Sequence, residues 1–188
     1  SGRFLHETLL VRLKKKTGLE HLTPIHRIDR ETAGIVVFSR NARTRGAYQV
    51  LFQKREVSKV YEALARTLPD ADFPFTYRSC MVDGKPFFRM EEIDGVPNSE
   101  TTIDVIENRG DISLYQLRPL TGKKHQLRVH LAALGIPIIN DAFYTIACPC
   151  KANDVSCPLQ LLAKSISFRD PITGVNHFFE SQRELVLT

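Results

Sequence analysis

Asp29 stands in His26-Arg27-Ile28-Asp29-Arg30-Glu31-Thr32-Ala33-Gly34, ahead of an apolar run, Ile35-Val36-Val37-Phe38. His26, Arg27 and Arg30 can all carry positive charge. Cations close to a carboxylate favour its ionised form and can also meet an anionic ligand. Such a carboxylate can serve as a nucleophile or as a proton-abstracting base. The same residues would also suit a plain turn, with Asp29 accepting backbone N–H groups and the arginines in solvent. Downstream, Lys59-Val60-Tyr61-Glu62-Ala63 holds a Tyr whose ring can stack and whose hydroxyl can hydrogen-bond or take part in proton transfer. It equally fits a core Tyr on a buried strand. A third segment runs from Pro119 to Ala132, Pro-Leu-Thr-Gly-Lys-Lys-His-Gln-Leu-Arg-Val-His-Leu-Ala. Arg128 lies there among Leu127, Val129 and Leu131, so it reads as a partly buried, paired cation rather than a solvated one.

The first segment resembles the H-R-L-D-x-x-T-S-G motif of the RluA-type pseudouridine synthases, with Ile28 for Leu and Ala33 for Ser. The second is similar to that family's K-x-Y-x-A. The third is similar to T-G-R-T-H-Q-I-R-V-H-L-A, with Lys123 and Lys124 for Arg and Thr. It continues into Gly135-Ile136-Pro137-Ile138 and Asn140-Asp141-Ala142-Phe143-Tyr144. The tail resembles L-x-L-H-A and F-x-H-P-x-T-G, with Leu162 where His is common. The resemblance implies that Asp29 is the catalytic residue, that Tyr61 packs on the target base and assists proton removal, and that Arg128 holds Asp29. It places Leu161 under the base, gives Arg27 the task of holding the opened RNA, and puts His26, Thr32, Lys123, Lys124 and His125 on the substrate. The reaction is a redox-neutral isomerisation, so no cofactor is expected, and no metal cluster is visible. The implied partner is RNA, ribosomal or transfer, with no membrane, and a monomer is expected. The family usually has a strand and a K-P-x-G loop ahead of this region. A single pseudouridine synthase catalytic domain over residues 1–188, lacking an N-terminal strand, is therefore expected.

Charge is consistent with a polyanion partner. Lys and Arg number 26 against 21 Asp and Glu, a net charge of +5 that is weak evidence by itself. Its distribution says more. Residues 40–59 carry six Lys or Arg against one acid, and residues 118–130 carry four and no acid. Residues 83–111 reverse the balance, with eight acids against three bases. A basic surface with a segregated acidic segment suits nucleic acid. No apolar run approaches the roughly 20 residues that span a bilayer, and no signal-peptide pattern is present, so a cytoplasmic location is expected. Cys148, Cys150 and Cys157 have poor zinc spacing and read as free thiols in a loop.

These residues need elements to hold them. Helical periodicity covers 4–16, 41–55 and 125–134. Residues 34–39 read as one buried strand, and residues 57–66, 101–107, 112–118, 159–168 and 176–180 as further strands, with hairpins in 70–98. Strands joined by short turns outnumber helices. The expected fold class is α+β, a mixed, largely antiparallel sheet with packed helices, which is the pseudouridine synthase fold that the resemblance implies. The expected function is isomerisation of uridine to pseudouridine in RNA. The rivals are a non-catalytic RNA-binding module and, more remotely, a hydrolase.

Overall fold

The computed structural model of the protein describes residues 8–145 and 156–186. In chain order the elements are α1 (Leu9–Thr17), β1 (Thr23–Pro24), β2 (Ala33–Gly34), β3 (Phe38–Ser39), α2 (Arg45–Gln53), β4 (Ser58–Arg66), β5 (Phe75–Asp83), β6 (Met90–Ile93), β7 (Ser99–Asn108), β8 (Ile112–Pro119), α3 (Gln126–Ala133), β9 (Leu161–Arg169) and β10 (Asn176–Glu180). The class is α+β, as expected. The chain forms two compact units, one of Ser1–Ile28, Val36–Val57 and Ser167–His177, the other of Asp29–Ile35, Ser58–Ile166 and Phe178–Thr188.

In the first unit, the α1 helix begins at Leu9 because Thr8 caps it, its hydroxyl accepting the Val11 N–H at 3.3 Å. Gly18 closes it in the left-handed region at φ 69°. β1 and β3 pair antiparallel. The α2 helix is shorter than its periodicity suggests, and it buries Leu51. Tyr48 of α2 donates its hydroxyl proton to Asp170 at 2.8 Å.

The second unit is built on an eight-stranded sheet in the order β10-β9-β4-β8-β7-β5-β6, with β2 added beside β9. The pairs β4/β8, β7/β8, β5/β7 and β5/β6 are antiparallel, and β2/β9 is parallel. Alternating apolar residues of β4, β7 and β8 meet α3 in a core of Ala63, Ala65, Ile103, Tyr115, Leu117, Leu127 and Leu131. Beside it His130 is buried in a cage of hydroxyls. Its Nε2 lies 3.0 Å from Ser99 Oγ and 3.2 Å from Ser79 Oγ, and its Nδ1 lies 3.0 Å from Thr101 Oγ1. Burial pushes this imidazole down to about 4.

The single strand expected over residues 34–39 is broken in two. Gly34 adopts φ 103°, and Ala33 and Gly34 pair with Leu162 and Ala163 of β9. Phe38 and Ser39 pair instead with Thr23 and Pro24. An apolar run cannot reveal a change of partner midway. A Cβ at Gly34 would collide with the backbone of Ala163, and a positive φ disfavours any other residue there.

Gly34→Ala should destabilise the protein by about 3 kcal/mol, seen as a lower denaturation midpoint with the same m-value. For His130 the folded pKa lies below the unfolded one, so the unfolded chain binds the proton more readily. Its stabilising contribution is complete above about pH 6.5 and is lost as pH falls toward 4. The urea midpoint should therefore drop between about pH 7 and pH 4.5, and His130→Gln should shrink that drop.

Candidate active site

The second unit brings Asp29, Tyr61, His125 and Arg128 together. Asp29 opens a tight turn in which the Thr32 N–H donates to the Asp29 carbonyl at 3.1 Å. Immediately after it, Ala33 and Gly34 lie against β9, and the Ile35 N–H donates to the Ala163 carbonyl at 3.1 Å. A turn is thus present, closed by the Asp29 main-chain carbonyl. Thr32 serves the turn through its backbone. The Asp29 side chain is 15% exposed, so it is recessed yet reachable.

Arg128 is 1% exposed. It projects from α3 and grips Asp141 with a bidentate fork, Nε to Oδ2 and Nη2 to Oδ1, both at 2.7 Å. Its Nη1 reaches Glu31 Oε2 at 3.4 Å. The two short hydrogen bonds of this arginine therefore go to Asp141, where sequence reasoning expects Asp29. Asp29 acts on Arg128 as a neighbouring negative charge that, with Asp141 and Glu31, favours the guanidinium. The rings of Phe143 and Tyr144 lie 4.8 Å and 5.4 Å from the guanidinium carbon, where a cation on an aromatic face is stabilised. Asp141 is itself fully buried, and its Oδ1 also accepts the N–H groups of Phe143 and Tyr144 at 2.8 Å and 3.2 Å.

Tyr61 lies on β4 opposite Leu117 of β8. Burial first, and the charge of Asp29 second, push its phenol up to about 12. It therefore rests as a neutral phenol, able to stack and to donate. Lys59, two residues earlier, donates from Nζ to the Thr121 carbonyl at 3.3 Å, and burial lowers its pKa. It is drawn off the surface to support the turn that leads to α3.

Gln126 ties that turn down. Its Oε1 accepts from Thr121 Oγ1 at 2.7 Å and from the Lys123 N–H at 3.1 Å, while its Nε2 donates to Glu100 O and Thr101 Oγ1, both at 2.9 Å. His125 takes the left-handed conformation at φ 53°, ψ 17° ahead of α3. This conformation is strained for a residue with a Cβ and is held by the surrounding bonds. Its Nε2 lies 4.0 Å from Asp29 Oδ1.

Lys123 is exposed. Lys124 is half-buried and donates to the Phe87 carbonyl at 3.1 Å. That bond anchors the loop between β5 and β6, which carries an aromatic pair that sequence reading passed over. Phe87 is 86% exposed and Phe88 41%, and Phe88 lies 5.4 Å from Phe143. An apolar dipeptide in a turn was the available signal. Leu161 is buried in the core at the head of β9. His26 and Arg27 belong to the first unit. There the His26 ring stacks on Phe52, its Nε2 accepts the Val37 N–H at 3.0 Å, and its Nδ1 lies 3.1 Å from the Arg27 carbonyl. Both ring nitrogens thus serve the backbone, and Arg27 is exposed. Cys148 and Cys150 lie outside the described residues, while Cys157 is a free thiol.

A family model described as RNA pseudouridylate synthase matches residues 2–133. The chain belongs to the RNA pseudouridylate synthase family. The dual-specificity RNA pseudouridine synthase RluA of Haemophilus influenzae is 30% identical over 185 residues, 95% of this chain and 80% of that one. The mouse pseudouridylate synthase RPUSD2 is 35% identical over 144 residues, 76% of this chain and 26% of that one. The chain thus spans about a quarter of the length of that mammalian relative. The solved human RNA pseudouridylate synthase domain containing 1 superposes with a TM-score of 0.77 at 26% identity, covering 94% of this chain and 74% of that one. The mixed sheet with few helices is therefore the pseudouridine synthase fold, as expected. No helix among the described residues is long and apolar enough to cross a membrane.

Arg128→Met should leave Asp141 as an unpaired buried carboxylate and lower stability by about 3–5 kcal/mol. Arg128→Lys should recover only part of this, because an ammonium cannot reproduce the fork. Thermal denaturation of the three proteins checks both expectations.

Proposed function

We propose that this chain isomerises uridine to pseudouridine in RNA, with residues 1–188 acting as one catalytic domain. The observation that carries this reading is the cluster of a recessed carboxylate, Asp29, a neutral buried phenol, Tyr61, and a fixed guanidinium, Arg128, in one compact unit of a family member. In the reaction the N1–C1′ bond breaks, the uracil turns, and a C5–C1′ bond forms. C5 then gives up its proton while N1 gains one, so atoms and electrons balance without an oxidant or a reductant.

Asp29 is the group that meets the sugar or the base, as nucleophile or as proton acceptor. Tyr61 stacks on the uracil and, as a neutral phenol, takes part in the final proton movement by giving a proton before it can accept one. Arg128 fixes the electrostatics around Asp29 from behind, through its grip on Asp141 and Glu31. The target base must leave its stack to reach this site, which requires a few kcal/mol. The exposed Phe87 and Phe88, with Lys123 and Lys124 close by in sequence or contact, suit the stacking and phosphate contacts that keep an opened strand in place. We assign His26, Thr32 and Leu161 supporting roles, and Arg27 a contact to the opened RNA. The substrate proposed is ribosomal or transfer RNA, acted on in the cytoplasm by a monomer.

Incubation with unmodified uridine-containing RNA, digestion and nucleoside analysis should reveal pseudouridine. Asp29→Asn should abolish its formation while RNA affinity, which comes mainly from phosphate contacts, stays within about threefold. RNA that is bound but unaltered by the wild-type protein would favour a binding module, and strand or glycosidic cleavage would favour a hydrolase.

A further inference from the structure

His125 and Tyr144 form a pair that the reaction outlined above leaves without a task. His125 Nδ1 lies 2.7 Å from the Tyr144 hydroxyl. The same hydroxyl oxygen accepts the Met90 N–H at 2.8 Å. Tyr144 is brought there by the turn after Asp141, whose carboxylate takes its N–H. On the far side of the imidazole, Nε2 lies 4.0 Å from Asp29 Oδ1. The ring therefore bridges a fixed hydroxyl and the proposed reacting carboxylate.

The charge state of the ring follows from its surroundings. Burial pushes His125 down to about 4, Arg128 and Lys124 add to this, and Glu31 and Asp141 oppose it. The imidazole is neutral near pH 7. Burial also raises the Tyr144 phenol, which keeps its proton. A neutral imidazole carries one N–H, and its two nitrogens differ in role.

Two contacts decide where that proton sits. The Tyr144 oxygen already accepts from Met90, and its own proton has His125 Nδ1 as an acceptor at 2.7 Å. If Nδ1 carried the ring proton, the phenol would lose that acceptor. The lone pair of Nε2 would then face the carboxylate of Asp29, which is repulsive. We propose that Tyr144 locks His125 as the Nε2–H tautomer, so that its N–H is aimed at Asp29 and positions that carboxylate for the reaction. A separation of 4.0 Å is long for a hydrogen bond, and contacts of this kind tighten when substrate fills a site. His125 and Tyr144 are positioning residues, and the kinetic part of their role rests on the isomerase reading above. His125, Arg128 and Tyr61 are charged or titratable groups that bear on Asp29.

The test has a spectroscopic arm and a kinetic arm. Long-range proton–nitrogen spectra of 15N-labelled wild-type protein without RNA should show His125 protonated at Nε2, and Tyr144→Phe should give mixed tautomers. In the assay, Tyr144→Phe should lower kcat about tenfold with KM for RNA within about twofold, the loss expected when a charged group forfeits one hydrogen bond. The acid limb of its kcat–pH profile should move to higher pH, because the carboxylate has lost a donor. A purely structural tyrosine would lower Tm and leave that limb in place. Should Tyr144→Phe fail to fold, His125→Gln, whose amide N–H can occupy the Nε2 position, should retain clearly more activity than His125→Leu. Protonation of wild-type His125 at Nδ1, an unmoved acid limb, or equal activity of the Gln and Leu variants would overturn the proposal. The spectra decide the tautomer whatever the activity assay returns, so failure of the isomerase reading remains separate from failure of this one.

Discussion

The fork between Arg128 and Asp141 is the constraint on which the rest of the site depends. Both partners are almost fully withdrawn from water, and neither could remain charged there alone. Once joined, they dictate much else. The Asp141 carboxylate also caps the turn that follows it, which sets Phe143 and Tyr144 against the guanidinium. The guanidinium in turn reaches forward to Glu31, two residues from Asp29. One buried ion pair thus links α3, the turn after it and the segment that carries Asp29. A buried pair contributes little net stability. Its value here is geometric, because a planar fork leaves few orientations for anything attached to it.

The second support is made of neutral hydrogen bonds. Gln126 uses both ends of its amide to hold the residues before α3, and Lys59 holds the same turn from β4. His130, one turn along the helix, spends both ring nitrogens on hydroxyls of β5 and β7. A fully satisfied polar network of this sort rigidifies what it joins. Its elements are therefore bound to the helix by directional contacts as well as by apolar packing.

Much of this was legible in the sequence, and the reasons for success and failure are physical. Asp29, Tyr61 and Arg128 stood out through motifs that resemble those of the family, and the structure brings the three together, while the antiparallel sheet followed from strands joined by short turns. The partner of Arg128 was not legible, since nothing in local spacing distinguishes Asp141 from Asp29 as the acid that a folded chain delivers. Gln126 and Tyr144 act through bonds to the backbone and to residues remote in sequence, which leave no periodic trace. The break at residues 34–39 escaped because an apolar run reads the same whether it pairs with one neighbour or with two. The surface charge was also overcounted. Arg128 and Lys59 belong to basic stretches in the sequence, yet both are turned inward in the structure.

The loop from Gly84 to Arg89 touches this frame at Lys124, Phe143 and Tyr144 but exposes its tip. It joins β5 to β6, the last strand at one side of the sheet, and it presents Phe87 almost wholly to solvent. The segment between Arg128 and Asp141, by contrast, is closed at both ends by the fork. The two stretches consequently differ in how much of their surface is open to water. The tip of the β5–β6 loop around Phe87 could change its side chains while the contacts that tie the loop to Lys124, Phe143 and Tyr144 stayed in place. A rim whose surface can vary while its attachments stay fixed leaves room for change at the edge without disturbing what lies behind it.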